Sequence, residues 1–200
     1  MEKLEWVVAT TNLGKLKEIE VALKKFPIQL FSLNQIGFGE KIIEDKATFQ
    51  ENAILKATLV AQKTGKLTLA DDSGLIVDAL GGAPGVYSAR FAGEKASDRE
   101  NNRKLLQLLK DISSERRRAH FHCAMALASP EKLIHTVEGI CFGSIGFEEK
   151  GGGGFGYDPL FIPENYDKTF AELGDVVKNK ISHRAKALQQ LSSLLKDFIG

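Results

Sequence analysis

The chain has 200 residues, 43% of them hydrophobic and 26% charged, with a formal net charge of +1. That length suits one domain, or one domain with two lobes, around a core of ordinary size. The near-zero charge excludes a strong global field for nucleic acid or membrane surfaces, so a polyanionic ligand has to be held by local groups.

Residues 4–10 (LEWVVAT) are short, apolar and β-branched, and read as a buried strand. TNLGK follows, and then a helical pattern with Leu16, Ile19, Leu23 and Phe26 on one face. Residues 28–32 read as a second strand, and residues 33–46 as a loop with an acidic end at Glu44-Asp45. Thr48 and Glu51 form a T-x-x-E capping box, which starts a helix near Phe49 with Phe49, Ala53, Ala57 and Val60 as its buried stripe. A short strand over 67–70 runs into Asp71-Asp72-Ser73-Gly74. Residues 81–95 read as loop and 97–110 as a helix. Two long strands over 118–128 and 132–145 flank a turn at Ser129-Pro130-Glu131, and Gly151–Gly154 read as a flexible loop. A last helix runs from Ser182 to about Phe198, with Ala185, Leu188, Leu191, Leu195 and Phe198 as its stripe. Helices and strands alternate in a mixed order, which predicts an α/β fold on a mixed sheet.

Cys123 and Cys141 are too few for a disulfide framework, lack zinc-site spacing, and read as reduced core residues. No basic-then-apolar leader opens the chain, and no apolar run approaches the roughly 18 residues of a membrane span. A cytoplasmic location is the expectation.

Four segments have residue types suited to chemistry. Thr10-Thr11-Asn12-Leu13-Gly14-Lys15 joins a strand to a helix. Free amides, the positive helix end and Lys15 suit a phosphate there, although this is no P-loop and the segment also reads as an ordinary turn. Asp71-Asp72 at a strand end suits magnesium, with one carboxylate as a base for water; the alternative is a tight turn. In Gly151–Pro159, glycines expose backbone amides while Phe155 and Tyr157 offer stacking faces; the alternative is a hairpin tip with inward-packed rings. In Lys178–Arg184, Ser182 is a natural N-cap, so His183 and Arg184 fall in the first helical turn, where the dipole disfavours cations. That broken rule hints at a site, and a solvated basic start is the plainer reading. His120, His122 and Cys123 do not share a strand face, and Arg116-Arg117-Arg118 reads as a solvated turn.

Taken together, ATTNLGKLKE, TFQENAILKA, ADDSGL, LGGAPGVYSARFAG, GGFGYDPLF, YDKTFAEL and KNKISHRAKAL resemble the inosine triphosphate pyrophosphatase family, the Ham1-like non-canonical purine NTP pyrophosphatases. The resemblance covers Ala9 to Leu188. It implies an elongated mixed sheet flanked by helices, two lobes with a central cleft, and a homodimer. It implies magnesium-dependent hydrolysis of ITP, dITP and XTP to the monophosphate and pyrophosphate, with attack at the α-phosphorus. By position, Thr10, Thr11, Asn12, Leu13, Gly14 and Lys15 hold the triphosphate. Asp72 is general base and metal ligand, Glu44 the second acidic metal group, and Ser73 touches substrate. Phe155, Gly156, Tyr157 and Asp158 hold and stack on the base, and Lys178, His183 and Arg184 complete its pocket. Glu51 and Lys56 belong to the matched helix and support the phosphate site. A pyrophosphatase for another modified NTP and a non-catalytic nucleotide-binding protein are the alternatives; no membrane or nucleic-acid partner is expected.

Overall fold

A computed structural model describes residues 3–199, with side chains described as far as residue 196. Six strands form one sheet: β1 (Leu4–Val8), β2 (Ile28–Ser32), β3 (Leu67–Val77), β4 (Arg118–Ala128), β5 (Leu133–Ile145) and β6 (Phe161–Pro163). Their order is β2-β1-β3-β4-β5-β6. β1 runs parallel to β2 and β3, and β5 antiparallel to β6, so the sheet is mixed as the element pattern predicts. Among the described residues five α-helices accompany it: α1 (Leu13–Leu23), α2 (Phe49–Thr64), α3 (Asp98–Leu108), α4 (Phe170–Ile181) and α5 (His183–Ile199). No helix among the described residues is long and apolar enough to cross a membrane.

The chain forms two compact units. The first comprises Met1–Asp72, Cys123–Gly139 and Arg184–Gly200, and the second Ser73–His122 and Ile140–His183. The first unit's core joins Trp6 and Val8 of β1, Ile19 and Leu23 of α1, Cys123 and Met125 of β4, and Leu188, Leu191 and Leu195 of α5. Three of the five apolar positions expected on the last helix thus pack in this core; Ala185 is buried too, and the Phe198 side chain lies outside the described residues. The second unit's core joins Leu75 and Val77, Leu105 of α3 with Leu109 just beyond it, Phe121, Tyr157, Leu160, Phe161 and Phe170.

α2 follows its sequence closely. Thr48 and Glu51 form both halves of the capping box, Gly65 closes the helix in the left-handed region, and Phe49, Ala53, Ala57 and Val60 are buried. β3 does not follow its sequence. Expected to end at Ala70 before a turn, it continues to Val77, so Asp71, Asp72, Ser73 and Gly74 are strand residues. Asp, Ser and Gly favour turns while water satisfies the backbone, but here the strand conformation continues through them past the last residue paired with β1, Leu69. β6 and α4 carry no strong periodic signal. β6 is three residues long, and α4 is broken at Gly174, whose φ is 74°. The loop over 81–95 contains a 3-10 segment, Gly85–Arg90.

The arginine triplet also departs from expectation. Arg117 is buried, and its guanidinium donates to the carbonyls of Ile112, Gly146 and Leu109 at 3.1, 2.6 and 2.7 Å. It ties the C-terminal end of α3 to the end of β5 within the second unit.

Candidate functional site

In the first unit, β1 ends in the turn that enters α1. Asn12 is the N-cap: its Oδ1 accepts from the Lys15 amide at 3.1 Å, and its own amide donates to Thr10 Oγ1 at 3.1 Å. Thr11, Asn12 and Leu13 are exposed, and Thr10, Gly14 and Lys15 half-buried. Helix α1 starts at Leu13, so Leu13, Gly14 and Lys15 occupy its first turn, at the positive end of the helix dipole. The Lys15 ammonium lies 3.1 Å from Asp71 Oδ2.

Successive side chains of a strand point to opposite faces, and β3 divides the two aspartates accordingly. Asp71 meets Lys15 and Arg184, whose Nη2 donates to Asp71 Oδ2 at 3.0 Å; Arg184 Nη1 donates to Glu18 at 2.5 Å. Burial works against the Asp71 charge, but Lys15, Arg184 and Lys56 outweigh it and hold its pKa far below the carboxylate range. Asp72 meets α2 instead. Asn52 Nδ2 donates to Asp72 Oδ2 at 3.0 Å, and the Lys56 ammonium lies 4.0 Å from Asp72 Oδ1. Lys56 also donates to Glu44 at 3.0 Å and to the Asp71 carbonyl at 2.6 Å. Burial opposes the Lys56 charge, yet Asp72, Glu44 and Asp71 raise its pKa. At Asp72 burial wins: despite Lys56 and Lys15, and with Glu44 adding repulsion, its pKa rises to about 6.

Asn52 and Lys56 lie one turn apart on α2. Asn52 also accepts from the Lys46 amide at 3.0 Å, which fixes the acidic segment against the helix. Neither Asn52 nor Glu18 stands out in the sequence. The available signal is that Asn52 and Lys56 interrupt the buried stripe of α2, where polar residues need partners. Glu51 serves its own helix through the capping box.

Among the described residues no group of three or more His, Cys, Asp or Glu is placed to hold a metal. Glu44 and Asp72, which share Lys56, form a two-carboxylate set. Magnesium takes one or two carboxylates and completes its octahedron with water and phosphate oxygens, so this pair fits magnesium better than a metal that needs a full protein cage.

In the second unit, the Gly-rich segment is anchored rather than loose. Gly151 and Gly154 have φ of +80° and +77°; a Cβ on Gly151 would lie 2.6 Å from the Ala171 backbone, and one on Gly154 2.2 Å from Asp158 Oδ2. The glycines thus permit close approach of the chain to itself. Asp158 Oδ2 accepts from the Phe155 amide at 2.9 Å and from Lys178 Nζ at 2.5 Å. The Lys178 ammonium stands 4.1 Å from the Phe155 ring centroid. Lys178 is 3% exposed and Asp158 2%, so this is a buried ion pair beneath a half-buried aromatic ring. Tyr157 is buried, with its hydroxyl donating to the Ser88 carbonyl at 2.8 Å, and its ring packs in the core as the hairpin reading has it.

Ser182 precedes α5 in extended conformation, and His183 and Arg184 occupy the first turn as the spacing predicts. The two then diverge. His183 stacks on Phe121, centroids 4.6 Å apart and planes 13° off parallel, in the second unit. Arg184 is 1% exposed and joins Asp71 and Glu18 in the first. The carboxylates offset the unfavourable helix dipole. Ser73 follows Asp72 in β3 and is half-buried.

The profile of the Ham1 family matches residues 6–194. The chain belongs to the Ham1 family. Among curated relatives, the dITP/XTP pyrophosphatase of Desulforamulus reducens is 52% identical over 192 residues, covering 96% of each chain. That of Bacillus subtilis is 52% identical over 192 residues, covering 96% of this chain and 97% of its own. Among solved structures, a HAM1 protein from Coxiella burnetii superposes with a TM-score of 0.87 at 42% identity, covering 97% of this chain and 99% of its own. The Staphylococcus aureus Ham1 protein gives 0.86 at 38% identity, with the same coverage. This Ham1 chain therefore has the α/β fold that its motifs imply.

Proposed function

We propose that this Ham1 chain is a nucleoside triphosphate pyrophosphatase that hydrolyses ITP, dITP and XTP to the monophosphate and pyrophosphate. The observation that carries the proposal is Asp72: a buried carboxylate, held by Asn52 and flanked by Lys56 and Glu44, with a pKa raised to about 6. Such a group is poised to take a proton near neutral pH. The names of the relatives from D. reducens and B. subtilis support the same chemistry.

In this reading, the turn from Thr10 to Lys15 holds the triphosphate through amides at the α1 N-terminus and the Lys15 ammonium. Asp72 orients water toward the α-phosphorus and takes its proton; the oxygen bonds to phosphorus as the bond to the pyrophosphate oxygen breaks. Glu44 and Asp72 hold magnesium, which when bound neutralises charge on the phosphate oxygens. Lys56 lies against both carboxylates until it does. For Arg184, the ion pairs favour a role in holding Asp71, and through it Lys15.

The base stacks on Phe155, Ser73 touches the substrate, and His183 on Phe121 backs the pocket. Hypoxanthine and xanthine carry an oxygen acceptor at position 6, which Lys178 can serve. Adenine carries an amino donor there, and each mismatched buried group costs about 1–3 kcal/mol. A homodimer and a cytoplasmic setting belong to the same reading, the latter in keeping with two buried thiols, Cys123 and Cys141, outside any disulfide.

The test is pyrophosphate release from ITP, XTP, ATP, GTP, CTP and UTP, with and without magnesium. Strong magnesium-dependent release from ITP and XTP, with little from the other four, is expected. Release from a different nucleotide would overturn the base assignment, and no release from any would overturn the enzymatic reading.

A further inference from the structure

Helix α3 begins with two residues, Asp98 and Asn102, one turn apart on the same face. Both reach Gly156. Asp98 Oδ2 accepts from the Gly156 amide at 2.6 Å, and Asn102 Nδ2 donates to the Gly156 carbonyl at 3.1 Å. The two polar groups of a single glycine, in the middle of the Phe155–Asp158 turn, are therefore both held by one helix. Gly156 has φ of +61°, a conformation that glycine enters freely and leaves as freely. The clamp therefore adds to the Asp158 and Lys178 contacts of Phe155 by fixing the residue that follows it.

The neighbouring Asn101 is a useful contrast. It is buried like Asn102, but both ends of its amide are used: Oδ1 accepts from the Ala92 amide at 2.8 Å and Nδ2 donates to the Ala89 carbonyl at 3.1 Å. That is an ordinary structural asparagine. Asn102 is 3% exposed, and its Oδ1 has no hydrogen-bond partner among the described residues. A buried polar atom left this way costs the fold free energy. Leucine, of similar size, would avoid that cost, so the amide is retained for its one bond, to Gly156. The capping box of α3, Ser97 with Glu100, fixes the helix start that carries Asp98.

We infer that Asp98 and Asn102 are positioning residues for purine recognition: they fix Gly156, and through it the Phe155 platform and the Asp158–Lys178 pair on either side. The inference rests on the proposed base site. Because base stacking is present in ground and transition states alike, the clamp acts on KM and on discrimination, not on turnover.

The test measures KM and kcat for ITP and ATP, with thermal melts, for wild type, Asp98→Ala, Asp98→Asn and Asn102→Leu. Asp98→Ala and Asn102→Leu are expected to raise KM for ITP about tenfold and to erode the ITP-over-ATP preference, with kcat within about twofold. Asp98→Asn keeps an oxygen acceptor for the Gly156 amide and should recover most of the wild-type KM. Asn102→Leu should melt within a few degrees of wild type, because it removes an unsatisfied buried atom along with the bond. A merely structural pair would instead lower the melting temperature and leave KM unmoved in the folded fraction. A wild type that prefers ITP, with variants that keep its KM, would overturn the clamp alone. A wild type with no preference for ITP over ATP would overturn the base site and the clamp with it.

Discussion

In the first unit, Lys15, Lys56 and Arg184 converge on Asp71, Asp72, Glu18 and Glu44, most of them with little exposed side chain. In the second unit the corresponding region holds one buried ion pair, Lys178 with Asp158, set among an aromatic ring, a glycine turn and backbone bonds. Dense charge suits a triphosphate and the proton transfers of its hydrolysis; a ring with one donor beside it suits a flat, nearly neutral base. Even within β3 the contrast holds. Asp71 is wrapped by cations and kept ionised, whereas burial wins at its neighbour Asp72 and leaves it able to gain and lose a proton.

The comparison breaks most sharply at Asp72. Asp72→Asn should lower kcat about 10²–10⁴-fold, the usual contribution of a general base, with KM for ITP little changed. A variant with near-normal kcat would remove Asp72 from the chemistry. Misfolding would not explain a loss, since the raised folded pKa means that ionised Asp72 costs the folded state stability above pH about 6. Asp72→Asn should therefore melt no lower than wild type at pH 8.

Arg184→Met probes the other face of β3. It leaves Asp71 and Glu18 without their shared guanidinium, and breaking a buried pair from one side costs about 3–5 kcal/mol of stability, measurable by urea unfolding. A loss below about 1 kcal/mol would mean that the Asp71 network is not structural.

The pH dependence separates the two aspartates by sign. With magnesium present, kcat/KM should fall toward tenfold per pH unit on the acid side, as Asp72 gains a proton and can no longer accept one from water. Asp71 contributes stability that is present above its ordinary value of 3.8 and is lost as pH falls below it toward its depressed folded value. A kcat/KM profile flat from pH 8 to 5 would contradict the role of Asp72.

Much of this was legible in the chain. The capping box at Thr48 and Glu51 marked the start of α2 near Phe49, because both halves of that motif are local. The motif set singled out Asp72, Lys178 and Phe155 as candidates, and the structure gives each a specific set of contacts. What escaped was tertiary. Asp71-Asp72-Ser73-Gly74 has turn composition, yet it lies within a strand that runs from Leu67 to Val77. That strand geometry then sends two adjacent carboxylates to different partners, which no spacing rule for paired ligands anticipates. Asn52, Glu18, Asp98 and Asn102 look like ordinary helical surface residues until their partners, 20 to 166 positions away in sequence, are in place.

The smallest expected effect tests the division of labour most directly. Calorimetric titration, with magnesium, of an unreactive ITP analogue and of inorganic tripolyphosphate would be compared for wild type and Phe155→Ala. Loss of one stacking face should weaken the analogue about tenfold, within the 1–3 kcal/mol typical of base stacking, and leave tripolyphosphate affinity unchanged. Equal weakening of both ligands, or of neither, would contradict the proposed stacking of the base on Phe155.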